Sequence, residues 1–285
     1  MTQVAEASDS YYGRPVLKTP PWKPEVAWYF WIGGMAGVSA ALALGARLSG
    51  NRRLTRSALV GAVAGAVASP ALLIDDLGRP ERFLNMLRVF KPTSPMSVGT
   101  WVLAGFGAAV TGATVSEFTG LLRPAGRIAA LFAGALGPVL STYTAVLISN
   151  TAVPVWHEAR RILPFVFAGS SIASAGGLAA VLTPVSSARP ARRLAVIGSA
   201  VELVAAGLME RELGDWARPY QEGDARHLSR LSRLLTLAGG TAMLLAGRRR
   251  WQAASAGTML LAGALAQRHA VLKAGIESSR QSRGR

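Results

Sequence analysis

Three carboxylates stand where a chain this apolar has least use for charge. Asp75 and Asp76 are adjacent at the end of one apolar run, and Glu202 interrupts another, "AVIGSAVELVAAGLM". Adjacent carboxylates repel, so one of the pair holds its proton near neutrality and can relay it, unless both are solvated or paired with Arg79 or Arg82. A carboxylate at bilayer depth costs about 2.5–3.5 kcal/mol on insertion scales and as a rule faces a polar interior. Glu202 therefore reads as a station on a proton or ion path, or as a neutral glutamic acid bonded to a neighbouring helix. Tyr143 is a further polar group set inside an apolar run. It lies seven residues before Asn150, about 10 Å along a helix at about 1.5 Å per residue. The Gly137-Pro138 pair just before it should kink that helix and open space.

The remaining chemistry is bounded by what is missing. The chain has no cysteine, hence no disulfide, no thiolate metal site and no iron–sulfur cluster of its own. His157, His227 and His269 fall at the ends of apolar runs or in a link, which disfavours a haem anchor built on histidine pairs inside a membrane. No metal site and no catalytic residue is expected on the chain alone. Redox chemistry would have to be lent by a partner.

The elements that must position these residues are membrane spans. The chain is 51% hydrophobic and only 16% charged, with a mean hydropathy of +0.32, whereas a soluble domain carries about a quarter charged residues. Apolar residues come in eight blocks, near 27–48, 57–75, 97–118, 127–150, 162–183, 193–210, 231–247 and 251–268. A span needs about 20 apolar residues. The first five blocks meet that and the last three are shorter, so the expected fold is an all-α polytopic membrane bundle of about eight helices, with seven open. Gly33 with Gly37 and Gly61 with Gly65 have the small-xxx-small spacing that lets helices approach closely.

The net charge of +16 does not point to nucleic acid, because the arginines cluster in short links. Alternate links carry Arg47, Arg52, Arg53 and Arg56; Arg123 and Arg127; Arg189, Arg192 and Arg193; and Arg248, Arg249 and Arg250, against one acid, Glu117. Read by the positive-inside bias, these links are cytoplasmic and both termini lie outside. The basic tail, with Lys273, Arg280, Arg283 and Arg285, argues the other way. On that topology Trp22, Trp28, Trp31, Trp101, Trp156 and Trp216 gather at the outer face and only Trp251 at the inner one. A one-sided aromatic excess suits a lined site or a docked protein there. Residues 1–26, with Tyr11, Tyr12 and many prolines, read as an extended arm on that face and not as a signal peptide. Residues 27–183 form the bundle, with a charged loop over 75–96, and residues 184–285 form a second helix group with the basic tail.

The segments "YYGRPVLKTPPWKPEVAWYFWIGGMAG", "DLGRPERFLNMLRVFKPTSPMSVGTW" and "YTAVLISNTAVPVWHEARRILPFVF" together resemble the NrfD/PsrC family, the integral membrane subunits of polysulfide reductase, nitrite reductase and related molybdoenzyme complexes. The similarity covers roughly residues 10–183 and is most specific from Leu77 to Trp101. It implies a membrane anchor that binds an exchangeable menaquinone or ubiquinone, without haem or iron–sulfur cluster on this chain. Its partners would be a ferredoxin-like iron–sulfur subunit and a molybdopterin-type catalytic subunit. Tyr143 in "YTAVLISN" matches the family tyrosine implicated in quinone binding; Trp28, Trp31 and Asp76 are the other candidates. Asp76 stands where family members often carry histidine before the Leu-Gly-Arg-Pro core, which leaves the local proton donor open among Asp75, Asp76 and Glu202. Arg79, Glu81, Arg82, Arg88 and Lys91 would form the partner's socket, mixed charge setting register more than affinity. The rival readings are a structural anchor without quinone chemistry and a transporter of ions or small molecules using Glu202.

Overall fold

The computed structural model describes residues 20, 22–77, 79–247 and 249–281. Most of the expected N-terminal arm, including Tyr11 and Tyr12, and the tail residues Arg283 and Arg285 lie outside the described residues, as does Arg248.

Every regular element among the described residues is helical. In chain order they are α1 (Glu25–Leu48), α2 (Arg52–Leu77), α3 (Pro80–Arg88), α4 (Pro95–Thr119), α5 (Arg123–Ser149), α6 (Pro154–Glu158), α7 (Leu163–Leu182), α8 (Arg189–Leu213), α9 (Arg218–Gln221), α10 (Gly223–Leu245) and α11 (Arg250–Gln281). Single 3₁₀ turns follow α6 and α8. The chain is an all-α polytopic helix bundle. Five helices, α1, α2, α4, α5 and α7, are long and apolar enough to cross a membrane. The helices α8, α10 and α11 coincide with the last three apolar blocks but fall short of that measure. Large apolar side chains such as Val67, Leu131, Phe132, Phe165, Val204 and Leu237 face outward along these helices. An apolar exterior of that extent is what a lipid environment accepts and water does not.

The long helices pair in sequence: α1 with α2, α4 with α5, α7 with α8, and α10 with α11. Helix α1 also packs on α5, α7 and α11, so it runs through the middle of the molecule and joins two four-helix groups. Small residues make this possible. Gly37 on α1 and Gly137 on α5 meet backbone to backbone, and a Cβ on either would collide with the other's carbonyl. Gly65 receives Ala36, and Gly61 lies under Leu178. The glycine spacing seen in the sequence is therefore the seam of α1 against its neighbours. Pro138 sits inside α5 one residue after that crossing. Its ring nitrogen cannot bond the preceding turn, and the oxygen of Pro138 accepts from Ser141 Oγ at 2.7 Å.

Several expected boundaries shift. Residues 75–96 are not one loop. Asp75 and Asp76 belong to the last turn of α2, and residues 80–88 form α3. The local reason is Pro80 at the first helical position, where its missing N–H costs nothing, and Phe83, Met86 and Leu87 on one face. These three are half-buried, and Phe83 packs on the core while the charged residues face out. The arginines of the first link are also helical: Asn51 accepts from the Leu54 amide and starts α2 at Arg52. The last helix runs from Arg250 to Gln281, well past the apolar block that ended at 268.

Candidate functional site

The two helices that cross at Gly37 and Gly137 place Tyr29 of α1 against Tyr143 of α5. Their hydroxyls form a direct hydrogen bond. Tyr29 is only 2% exposed, and the Tyr143 ring fills the space left by Gly99 on α4, where a Cβ would strike it. A short cleft opens beside the pair. Trp22, Val26, Tyr29, Phe30, Leu72, Leu73, Asp76, Leu77, Met96 and Leu147 line it, and its volume is about 40 Å³. Its lining is apolar and aromatic apart from the Tyr29 hydroxyl and the Asp76 carboxylate. The Asp76 carboxylate is half-buried and accepts from the Lys23 amide at 3.4 Å. Glu25 interacts with it electrostatically and has a buried Oε2 without a hydrogen-bond partner.

A quinone needs hydrogen-bond donors for its ring oxygens and apolar walls for its ring and tail. The hydroxyls of Tyr29 and Tyr143, the Asp76 carboxyl and the walls of Phe30, Leu72, Leu73 and Leu147 fit that in chemistry. The cleft holds about one water by volume, so a ring enters only by displacing side chains. Met96 at the mouth is 46% exposed and unbranched, which makes it the easiest to move.

The expected quinone residues divide between two faces of α1. Trp28 and Trp31 lie three residues apart and so share a face. That face turns to α7 and α11: Trp31 Nε1 donates to Ser174 Oγ at 3.3 Å, and Trp28 packs edge-on against Trp31 and His269, with centroids at 5.6 and 6.2 Å. Neither tryptophan lines the cleft beside Tyr29. The structure thus bonds Tyr143 to Tyr29, which lines the cleft together with Asp76, and sets Trp28 and Trp31 apart. Tyr29, which does line the cleft, was missed. The signal was available, because residue 29 lies about 100° around the helix from residue 28.

Asp75 is exposed. Among the described residues neither Asp75 nor Asp76 forms an ion pair with Arg79 or Arg82. Arg82 instead donates to the Leu77 carbonyl at 3.0 Å, tying α3 to the end of α2. Arg79, Glu81, Arg82, Arg88 and Lys91 are all exposed at that end. Trp156 does not belong to an interfacial belt. It is fully buried, stacks on Trp22 at 5.2 Å, and donates through Nε1 to the Val271 carbonyl at 2.8 Å. Its neighbour His157 approaches the Ser149 carbonyl at 3.3 Å.

The second polar centre lies in the group α7, α8, α10 and α11. Glu202 on α8 is 2% exposed; its Oε2 accepts from Thr236 Oγ1 at 3.5 Å, and its Oε1 has no partner. It faces Arg268 on α11 electrostatically, although no ion pair joins them within 4 Å. Arg268 is 1% exposed, donates to the Phe167 carbonyl at 2.9 Å and to Ser171 Oγ at 3.1 Å, and lies over the Phe167 ring at 3.6 Å. Its Nε and Nη1 are buried without partners. Arg268 was missed because in the sequence it closes an apolar block. The extension of α11 to Gln281 puts it in mid-helix.

Among the described residues no group of three or more His, Asp or Glu side chains is set to hold a metal ion. A family model described as "Polysulphide reductase, NrfD" matches residues 16–209. That match is longer than the resemblance read from the motifs and runs through α8 past Glu202. No curated protein matches the chain.

Proposed function

The chain belongs to the NrfD family, whose members are membrane subunits of oxidoreductase complexes, and on that premise we propose that it is a quinone-binding anchor. It passes electrons between a partner iron–sulfur subunit, itself joined to a molybdopterin-type catalytic subunit, and the quinone pool of the cell membrane. The observation that carries the reading is the bonded pair Tyr29–Tyr143, with Tyr29 and Asp76 both lining an apolar cleft. Two hydroxyls that satisfy only each other can each turn to a new acceptor at small net cost, because one hydrogen bond is exchanged for another. The bound menaquinone or ubiquinone supplies two-electron, two-proton redox chemistry. The residues of this chain orient and shield it: Tyr143 and Tyr29 donate to ring oxygen, Phe30, Leu72 and Leu73 exclude water, and Asp76 exchanges protons with the exposed Asp75 and solvent. Glu202 is a second proton-handling group, deeper and on the other helix group.

The exposed charges of α3 and of Lys91 lie at the same end as the cleft, which suits docking of the iron–sulfur subunit there. We place that end outside the cytoplasm, following the arginine bias of the opposite end. A cysteine introduced at Ser94 should react with an impermeant thiol reagent in intact cells, and the reverse pattern, labelling at Ser187 only, would invert the orientation.

The binding reading is tested by Tyr143→Phe. The ring and its packing on Gly99 stay, and one donor is lost. Removing a hydrogen bond to a buried partner should cost about 1–3 kcal/mol, roughly a 5- to 150-fold loss in quinone affinity. Assembly with the partner should be normal. Unaltered apparent affinity for quinone in the Phe variant would show that the tyrosine only packs.

A further inference from the structure

A cavity of about 960 Å³ opens between the first turns of α8 and the end of α10. Its α8 wall is Arg189, Arg192, Arg193, Val196 and Ile197, and on the other side stand Met243 and Leu244, with Ala246 and Gly247 beyond them. The five α8 positions recur at i, i+3, i+4, i+7 and i+8, which puts them within about 140° of one helix face at about 100° per residue. Guanidiniums and aliphatic side chains therefore share one wall of one cavity, about 12 Å long at about 1.5 Å per residue. The charged part lies at the arginine-rich end of the molecule, and the apolar part follows it toward the middle of the helix.

The three arginines differ in what they hold. Arg192 donates through Nη1 to the Gly247 carbonyl at 3.1 Å and through Nη2 to the Met243 carbonyl at 3.4 Å, so it ties α8 to the last turn of α10. Arg189 and Arg193 flank it on the same face, are exposed, and form no ion pair among the described residues. No acidic side chain lines the cavity, and the positive end of the α8 dipole adds to the same field. The apolar half is open outward. Ile197 is 57% exposed and Leu244 68%, and beyond Ile197 the outward side chains Val201, Val204 and Leu208 of α8 are also apolar. A soluble anion could use the arginines but gains nothing from that surface. An acidic protein segment would have to leave water to reach it. A lipid meets both halves at once.

We propose that this cavity binds an anionic phospholipid between α8 and α10, its phosphodiester held by Arg189 and Arg193 and the start of an acyl chain lying against Val196, Ile197 and Leu244. Arg192 fixes the spacing of the two helices from which the others reach the headgroup. On the proposed orientation the site faces the cytoplasmic leaflet, where anionic lipids supply the negative surface potential. The lipid bridges two helices that fall short of the apolar measure of the five spans, and so fastens the second helix group to the bilayer. The site is separate from the Tyr29–Tyr143 cleft and stands or falls without it.

The test uses the full-length chain purified in mild detergent, with phosphatidylglycerol, phosphatidylcholine and inorganic phosphate as probes, read by native mass spectrometry and by melting temperature. Phosphatidylglycerol should be retained about tenfold more than phosphatidylcholine and should raise the melting temperature, whereas inorganic phosphate should not. Arg189→Gln with Arg193→Gln, which keeps the Arg192 tie, should remove most of that preference. Arg123→Gln with Arg127→Gln removes the same charge at the same end of the bundle and should leave the preference intact. Leu244→Trp, which fills the cavity from its exposed side, should lower phosphatidylglycerol retention without lowering the melting temperature of the lipid-free protein. Equal retention of both lipids by the unchanged protein, undiminished preference in the Arg189 and Arg193 variant, or an equal loss in both double variants would overturn the site. A melting shift with inorganic phosphate equal to that with lipid, or no effect of Leu244→Trp on retention, would overturn the lipid as its occupant.

Discussion

The two four-helix groups each bury a polar centre, and they solve the problem in opposite ways. In the first, Tyr29 and Tyr143 are neutral and satisfy each other across α1 and α5. In the second, Glu202 and Arg268 are ionisable, do not touch, and leave Oε1, Nε and Nη1 without partners. A neutral pair is inexpensive to bury and to reopen, which suits a site that exchanges a ligand. An ionisable pair is costly to bury and cannot be left half-satisfied without water or a proton shift. Unpartnered atoms on facing helices have room for further hydrogen bonds. Under the proposed function, the difference would put ligand exchange in one group and proton handling in the other.

The sharpest way to break that comparison is to remove one member of the ionisable pair. Arg268→Met leaves Glu202 buried without its counter-charge, and its carbonyl and hydroxyl acceptors lose a donor. The expected cost is about 3–5 kcal/mol, read as lost protein in the membrane and a lowered melting temperature. Adding Glu202→Met should restore most of it, since two well-packed apolar side chains can replace a buried pair. If Arg268→Met alone melts like the unchanged protein, the two groups are not energetically linked, and the second centre is no different in kind from the first.

These two centres were not equally legible in the sequence. Glu202 is visible because a carboxylate interrupts an otherwise apolar run, and the run's length fixes its depth. Arg268 is invisible by the same rule: it follows apolar residues and so looks like an interfacial end. Only the continuation of α11 through Ala270, Val271, Leu272, Ala274 and Ile276, a helix buried by packing though interrupted by polar residues, moves it inside. The all-helical architecture and the α1 glycine seam were readable because small-residue spacing and apolar length are local properties. The partition of Trp28 and Trp31 from Tyr143 was not, because it depends on which helices surround α1. The α3 helix was hidden by its charges. Its apolar face is only Phe83, Met86 and Leu87, too short a stripe to stand out between two much more apolar spans.

The neutral pair should respond more weakly. Tyr29→Phe removes one hydroxyl and leaves Tyr143 with an unpaired one, and the reverse holds for Tyr143→Phe. Each single change should cost about 1–3 kcal/mol of bundle stability, and the double variant less than the sum of the two, because no orphan hydroxyl remains. Melting of the four proteins in detergent gives the coupling directly. Strict additivity would mean that the two hydroxyls do not depend on each other.

The smallest effect on the bundle is expected at α3. Arg79 and Arg82 are exposed, and among the described residues the side-chain bond they give the bundle is that of Arg82 to the Leu77 carbonyl. Changing both to Glu should therefore alter melting by no more than about 1 kcal/mol, the usual scale of a single exposed interaction. Binding should respond quite differently. A socket of mixed charge sets register through a few oriented pairs, and reversing two of them places like charges against the partner, which costs several kcal/mol at an interface. The iron–sulfur subunit should then be lost from the complex on purification at moderate salt, while the variant stays inserted and folded. A reversed pair that still co-purifies with its partner would move the docking surface away from α3. The cleft at Asp76 would then need a different route for electrons.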